Sequence, residues 1–323
     1  MLVDSFGRKI NYLRVSVTDR CNLRCLYCMP REGVKQVSHN EVLRFEEILD
    51  ICSIFASMGI STVRVTGGEP LVRRGIADFI KKLKNINGIK NVGLTTNGVL
   101  LNEHLTALTD AGLDSINISL DTLNREKYKQ LTGADSLTDV LSIIDHALEL
   151  GLKIKINCVP FCGFNEDEIS EFINFAKNKN ITVRFIELMP LGAAAAFKPL
   201  PIEEVESLVN SEIHHAEGNT EILSGYGPAS YFSLPGSTGQ IGFISTSRNI
   251  CKSCNRVRLT SSGLLKPCLF SDIKLDLRTL IRSGTDELEI QKAMREVIEL
   301  KPHSHSFIAD NTHNKKEMFR IGG

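Results

Sequence analysis

Cys21, Cys25 and Cys28 lie in the stretch CNLRCLYC at a C-x3-C-x2-C spacing, and Cys251, Cys254 and Cys268 form a second set at C-x2-C-x13-C. Three is an odd number of thiols: a structural zinc site takes four ligands and disulfides take pairs. A 4Fe-4S cube is ordinarily saturated by four cysteines, so three leave one iron open to a small molecule. The first set follows a strand-like run, in a loop whose backbone can wrap around a cube. Two other readings stay open for it, an incomplete zinc site and buried cysteines acting as small hydrophobes. For the second set, zinc and an iron-sulfur cluster fit the count equally, with His303, His305 or His313 as a distant fourth ligand. The first set tips the balance toward iron and sulfur, because a cell that assembles one cube on a chain already treats it as an iron-sulfur protein. Cys52 falls in a helical pattern and reads as core, while Cys158 and Cys162 flank Pro160 near a strand end.

Arg256 and Arg258 follow the second set at alternate positions, so on a strand both guanidiniums face one way. Two planar forks on one face suit oxygen anions such as phosphate. Arg14, Arg64, Lys155 and Arg184 lie on other strand-like runs that are otherwise apolar. Charge on such a strand costs free energy unless it is paired or faces a polar cavity. Several of these cations in one cavity would fit a small polyanionic substrate.

The elements that must position these residues alternate regularly. Short β-branched runs at 12–17, 61–65, 91–95, 115–120, 153–159 and 182–188 are separated by segments of helical period, several of which end in Gly or Asn. The six strand-helix repeats predict a parallel sheet with right-handed crossovers. Periodicity does not decide between an open sheet and a partial barrel. Polar residues gather at the strand ends: Thr66-Gly67-Gly68-Glu69-Pro70, then Thr95 to Gly98, then Ser119 and Asp121. In both architectures the carboxyl ends of the strands carry the active site. After Pro190 the pattern changes to turn-rich strands, a hairpin about Ser262-Gly263 and two helices near 275–300, which divides the chain into 1–191 and 192–323.

With 38 basic and 38 acidic residues the formal charge is zero, which gives no global field for nucleic acid or an anionic membrane surface. No run approaches the roughly 18 apolar residues of a membrane span, and the N-terminus lacks a secretory pattern. The expectation is a cytoplasmic protein with no nucleic-acid or membrane partner.

The first cysteine set, with Tyr27 before its last thiol and GGEP after the next strand, resembles the radical S-adenosylmethionine (SAM) superfamily. FGRKINYLRVSVTDRCNLRCLYCMP, VRVTGGEPLVRR, TTNG, INISLDTL, RFIELMPLG, CNRVRLTSSGLLKPCLFSD and the terminal IGG resemble, more narrowly, the GTP 3′,8-cyclase family of molybdenum cofactor biosynthesis. The resemblance implies an α/β fold, a partial six-stranded (β/α) barrel with a smaller C-terminal α+β domain. It implies two 4Fe-4S clusters, held by Cys21, Cys25 and Cys28 and by Cys251, Cys254 and Cys268. SAM would contact Tyr27, Gly68, Ser119 and Met189. GTP would contact Arg14, Arg64, Thr95, Lys155, Arg256 and Arg258, and the tail Gly322-Gly323 would reach into the site. The implied reaction takes a hydrogen from ribose C3′ and joins that carbon to guanine C8. The implied partners are a reductant protein and a following enzyme that makes cyclic pyranopterin monophosphate, with the chain acting as a monomer or homodimer. A radical SAM enzyme for another phosphorylated substrate or a peptide is the alternative. Two departures stand out: Thr62 occupies a position where the family carries a lysine, and SRNIC precedes the second set without the usual His and Phe.

Overall fold

The structure, a computed structural model, describes residues 1–34, 37–214, 222–224, 229–245, 251–304 and 318–321. A short antiparallel pair, β1 (Leu2–Val3) and β2 (Lys9–Ile10), opens the chain. Six strands then alternate with helices: β3 (Tyr12–Ser16), β4 (Thr62–Thr66), β5 (Asn91–Thr96), β6 (Ser115–Ser119), β7 (Ile154–Cys158) and β8 (Thr182–Ile186). The connecting helices are α1 (Phe45–Ser57), α2 (Ile76–Lys84), α3 (Leu101–Asp110), α4 (Arg125–Thr132), α5 (Leu137–Glu149) and α6 (Ile169–Lys179). Beyond them lie α7 (Ile202–His214), β9 (Ile222–Ser224), β10 (Ser230–Ser233), β11 (Gln240–Ile244), β12 (Arg256–Leu259), β13 (Leu264–Lys266), β14 (Leu275–Asp276), α8 (Leu277–Arg282), α9 (Glu287–Glu299) and α10 (Met318–Ile321).

The expected run of six parallel strands is present, and the C-terminal part adds one parallel strand to each of its edges. β12 pairs with β3, and β11 pairs with β8. The hairpin about Ser262-Gly263 joins β12 to β13, with Gly263 at φ 85° in the left-handed region that glycine tolerates. α4 carries too little apolar character to read from sequence, whereas α7 bears a regular stripe, Ile202, Val205, Val209 and Ile213, that packs into the main core. α4 is instead fixed by its ends: the Asn124 side chain accepts from the N–H groups of Glu126 and Lys127, and Gly133 stops it at φ 78°.

Along β3, β4 and β7 burial alternates. Leu13, Val15, Val63, Val65, Ile154 and Ile156 pack outward into the core shared with the helices, and Tyr12, Arg14, Arg64, Lys155 and Asn157 point to the other face. That other face is the inside of a curl. Arg14 on β3 and Arg184 on β8 are five strand gaps apart in the sheet order, yet their charges interact. In a flat sheet they would be separated by about 24 Å, at about 4.8 Å per gap. The two edges also meet, since Ile186 and Ile244 line the same recess as Arg256 and Arg258. Among the described residues no helix is long and apolar enough to cross a membrane.

Candidate active site

The loop that carries the first triad is docked by backbone on three sides. Gly68 N–H donates to Thr18 O and Glu69 N–H to Arg20 O, both at 2.7 Å, so the GGEP turn lies flat on the chain leading to Cys21. A Cβ on Gly68 would stand 2.3 Å from Arg20 O, and one on Gly67 would stand 2.7 Å from Thr18 O. The space left by Gly68 is therefore filled by the cysteine loop itself. Leu26 N–H and Arg24 N–H bond Leu131 O and Thr132 O at the end of α4, and Cys28 N–H and Met29 N–H both bond Cys25 O at 2.9 Å. At Cys21, the sulfur accepts from Leu23 N–H at 3.4 Å and from Asn97 Nδ2 at 3.8 Å.

All three thiols are shifted upward. For Cys25 and Cys28 burial is the main cause and neighbouring sulfurs add to it, with Cys28 pushed up to about 12; for Cys21 burial dominates and Glu69 adds to it. Mutual repulsion of this kind requires the sulfurs to converge. Among the described residues, however, no group of three His, Cys, Asp or Glu side chains is gathered as a single metal ion needs. Three converging thiols on one loop are the donor set of a 4Fe-4S cube with one iron left open. Binding to iron would release the thiol protons.

Tyr27 Oη donates to Asp121 Oδ2 at 2.7 Å, and Asp121 Oδ1 accepts from Val159 N–H at 2.8 Å. Burial raises Asp121 to about 6 against the pull of these bonds. Glu69 is also buried, and it accepts from Leu71 N–H, Thr96 Oγ1 and Asn97 N–H at 2.7–3.0 Å. Burial lifts it to about 7. With three acceptor directions used, one remains for a further donor. Ser119 ends β6, two residues before Asp121. Met189 lies elsewhere, in the recess of the second triad.

The barrel interior gathers cations. β12, β3 and β4 align Arg258, Arg14 and Arg64 at one level, and Arg256, Tyr12 and Thr62 at the level below. Arg14 is lowered to about 10, by burial first and then by Arg256, Arg64 and Arg184, while Tyr12 opposes the shift. Arg258 is pushed well down by burial and by Arg14 and Arg256, against the weaker pull of Cys268 and Cys254. Arg64 lies across Gly93, where a Cβ would meet its guanidinium at 2.3 Å. It donates to Tyr12 Oη, Leu94 O, Ser115 O and Ser115 Oγ at 3.0–3.4 Å, which occupies most of its five N–H groups. Lys155 reaches Tyr231 Oη at 3.4 Å and sits 4.8 Å from the ring centroid. Thr95 Oγ1, Asn117 Oδ1 and Arg184 Nε are buried without a partner, which is unusual unless a ligand supplies one.

Cys251, Cys254 and Cys268 line one recess together with Met189, Arg256, Arg258, Phe270 and Lys301, with about 670 Å³ of empty space including its mouth. Burial pushes the Cys254 thiol up, but Lys301 and Arg256 outweigh it and bring it down to about 7. Arg8, Lys301 and Asp121 are the residues that sequence reading passed over as site groups. Asp121 was visible as a strand-end carboxylate and Arg8 lies within the segment FGRKINYLRV with nothing local to give it a task, whereas Lys301 sits in no motif. At the C-terminus, Phe319 N–H approaches the Cys28 sulfur, and Met318 packs beside Met189, Leu191, Leu269 and Phe270. Gly322, Gly323, His305, His313 and residues 247–250 of SRNIC lie outside the described residues.

Residues 15–176 match the Radical SAM superfamily, and residues 181–307 match Molybdenum Cofactor Synthesis C. Solved structures agree on the fold: Streptococcus suis SuiB bound to S-adenosylmethionine (TM-score 0.67, 15% identity, 96% of this chain and 76% of that one) and native anSMEcpe with bound AdoMet (TM-score 0.60, 16% identity, 96% and 88%). This is a radical SAM barrel with a C-terminal extension. GTP 3′,8-cyclase of Alkaliphilus oremlandii is 44% identical over 99% of both chains, and that of Petrotoga mobilis is 41% identical over 100% of both. The chain belongs to the GTP 3′,8-cyclase family.

Proposed function

We propose that the chain converts GTP to (8S)-3′,8-cyclo-7,8-dihydroguanosine 5′-triphosphate, the first step of molybdenum cofactor biosynthesis. The observation that carries the substrate reading is the barrel interior, where Arg14, Arg184 and Arg258 are held below their ordinary range by burial and by neighbouring arginines. Such a cluster is costly without an anion, and a triphosphate supplies several charges at once.

In this reading Cys21, Cys25 and Cys28 hold a 4Fe-4S cluster whose open iron takes SAM, and Cys251, Cys254 and Cys268 hold a second. Cofactor and SAM together supply, when bound, a one-electron cleavage whose 5′-deoxyadenosyl radical abstracts hydrogen from ribose C3′. The protein's own task is to hold that C3′ beside guanine C8, an orientation effect. Arg14, Arg256 and Arg258 bind triphosphate oxygens. Arg64, fastened across β5, shapes the cavity and contributes its remaining donor and its charge. Thr95 supplies a buried hydroxyl, and Lys155 a cation steadied on Tyr231. Thr62 lacks the family's lysine, and Arg256 at the same level provides a cation there. Tyr27, Gly68 and Ser119 frame SAM, Gly68 by drawing the GGEP turn against the cysteine loop, and Met189 reaches it from the recess of the second triad. Gly322 and Gly323 are the tail assigned to the site, and they follow α10, whose Phe319 and Met318 approach the two triads. We place the division between barrel and C-terminal domain at 191/192. The reaction takes electrons from a reductant protein and passes its product to the enzyme that makes cyclic pyranopterin monophosphate. The chain works in the cytoplasm as a monomer or homodimer.

The test is anaerobic turnover with SAM, a strong reductant and GTP deuterated at C3′. Deuterium in 5′-deoxyadenosine is the expected result. Deoxyadenosine without deuterium would remove GTP C3′ as the site of attack.

A further inference from the structure

Arg8 comes from the N-terminal β1–β2 hairpin and Lys301 from the turn after α9, yet both act on the backbone around the second triad. Arg8 is buried, and all five of its N–H groups are spent. Nε donates to Asp4 Oδ2 at 2.5 Å; Nη1 donates to Cys251 O at 2.7 Å and His303 O at 3.1 Å; Nη2 donates to Pro302 O at 2.7 Å and Lys301 O at 3.5 Å. Lys301, also buried, donates from Nζ to Arg256 O at 2.8 Å and Pro267 O at 2.5 Å, and it lines the recess. Cys251 is thus held at its own carbonyl, Cys254 two residues along, and Cys268 one residue before. The two cations are in turn coupled, since Arg8 takes the carbonyls of 301, 302 and 303. Cys251 and His303 lie 243 and 295 residues from Arg8 in the chain, so the guanidinium ties together segments that only folding brings side by side.

We infer that Arg8 and Lys301 form a positioning pair that brings Cys251, Cys254 and Cys268 into register for the second cluster, while the first triad assembles without them. The inference rests on the two-cluster reading above. Metal ligands on three separate stretches need such outer-shell support, and its loss typically lowers metal affinity about 10–100-fold. A lysine at position 8 could not replace the fork, because its three donors leave a single nitrogen and cannot span four carbonyls.

The experiment compares reconstituted full-length wild type, Lys301→Met, and the double variant Asp4→Asn/Arg8→Met, which removes both charges so that neither is orphaned in the interior. Proteins lacking either cysteine triad assign the EPR and Mössbauer signals. Wild type should carry about eight iron atoms. Each variant should fall toward about four, losing the second signal and keeping the first, and should still form 5′-deoxyadenosine without GTP within about twofold of the protein lacking the second triad. Both variants with full iron and both signals intact would overturn the pair. Equal loss of both signals would overturn its specificity for the second triad, and loss in one variant alone would overturn the pairing. Wild type with only about four irons would instead bring down the two-cluster reading before any variant is made.

Discussion

The two cysteine triads are built in opposite ways. The first is local: its thiols span eight residues of one loop, and the main chain of that loop bonds to itself, to GGEP and to the end of α4. The second is assembled, with two thiols before β12 and one after β13, held by side chains from near both ends of the chain. Their electrostatics differ accordingly. Burial and neighbouring negative charges push the first triad's thiols up, whereas Lys301 and Arg256 pull Cys254 down to about 7. A contiguous loop needs only backbone to position its ligands. A dispersed set needs cations that also stabilise thiolate.

The sharpest way to break this comparison is to remove each set in turn. Changing Cys21, Cys25 or Cys28 to Ala should abolish deoxyadenosine formation altogether, while Cys251, Cys254 or Cys268 to Ala should leave GTP-independent cleavage and stop cyclisation. Chromatographic analysis of both products distinguishes the sets, and identical losses from either would mean that they do not have separate roles.

Next in size is Arg258→Met, which removes a buried cation from the face shared with Arg14. Losing charge-assisted bonds of about 1.5–3 kcal/mol should weaken GTP binding about 10- to 100-fold, with the first cluster's spectrum unchanged. Equilibrium binding of GTP to the SAM-free protein reads this directly, and unaltered affinity would remove Arg258 from the substrate site.

Gly68→Ala tests the backbone docking under the first triad. With a Cβ 2.3 Å from Arg20 O, the substitution should destabilise by about 1–3 kcal/mol and deplete iron from the first cluster before the second. Denaturant unfolding and cluster-resolved spectroscopy measure the two effects. The smallest effect is a titration. In metal-free protein the Cys254 thiol should alkylate with an apparent pKa of about 7, far ahead of Cys25 and Cys28. Because its folded value is depressed, the stability it contributes is present above the ordinary thiol range and is lost as pH falls through about 7. A mass-resolved alkylation profile that ranked Cys28 first would reverse the electrostatic contrast.

Much of the site was legible because it is local. The C-x3-C-x2-C spacing raises an open-iron loop without any coordinates, and the alternation in YLRVS, TVRV and KINC puts Arg14, Arg64 and Lys155 on the faces turned from the helices. The strand-end position of GGEP also marked it as part of the rim. Its glycines nevertheless proved to face the neighbouring backbone, which only atomic contacts could show. α4 was illegible because it is largely polar and is fixed by its caps and neighbours.

The sequence by itself thus determined the strand-helix order, the two sets of thiols and the cations available to a polyanion, because each is written in residue types a few positions apart. Only the tertiary structure decided that the sheet curls until β3 and β8 share one interior, that β12 and β11 extend its two edges, and that Arg64 is largely spent on the barrel while Arg8 and Lys301 serve the second triad. Those facts depend on which surfaces meet after folding. Contacts between residues hundreds of positions apart arise from packing and leave no local periodicity to read.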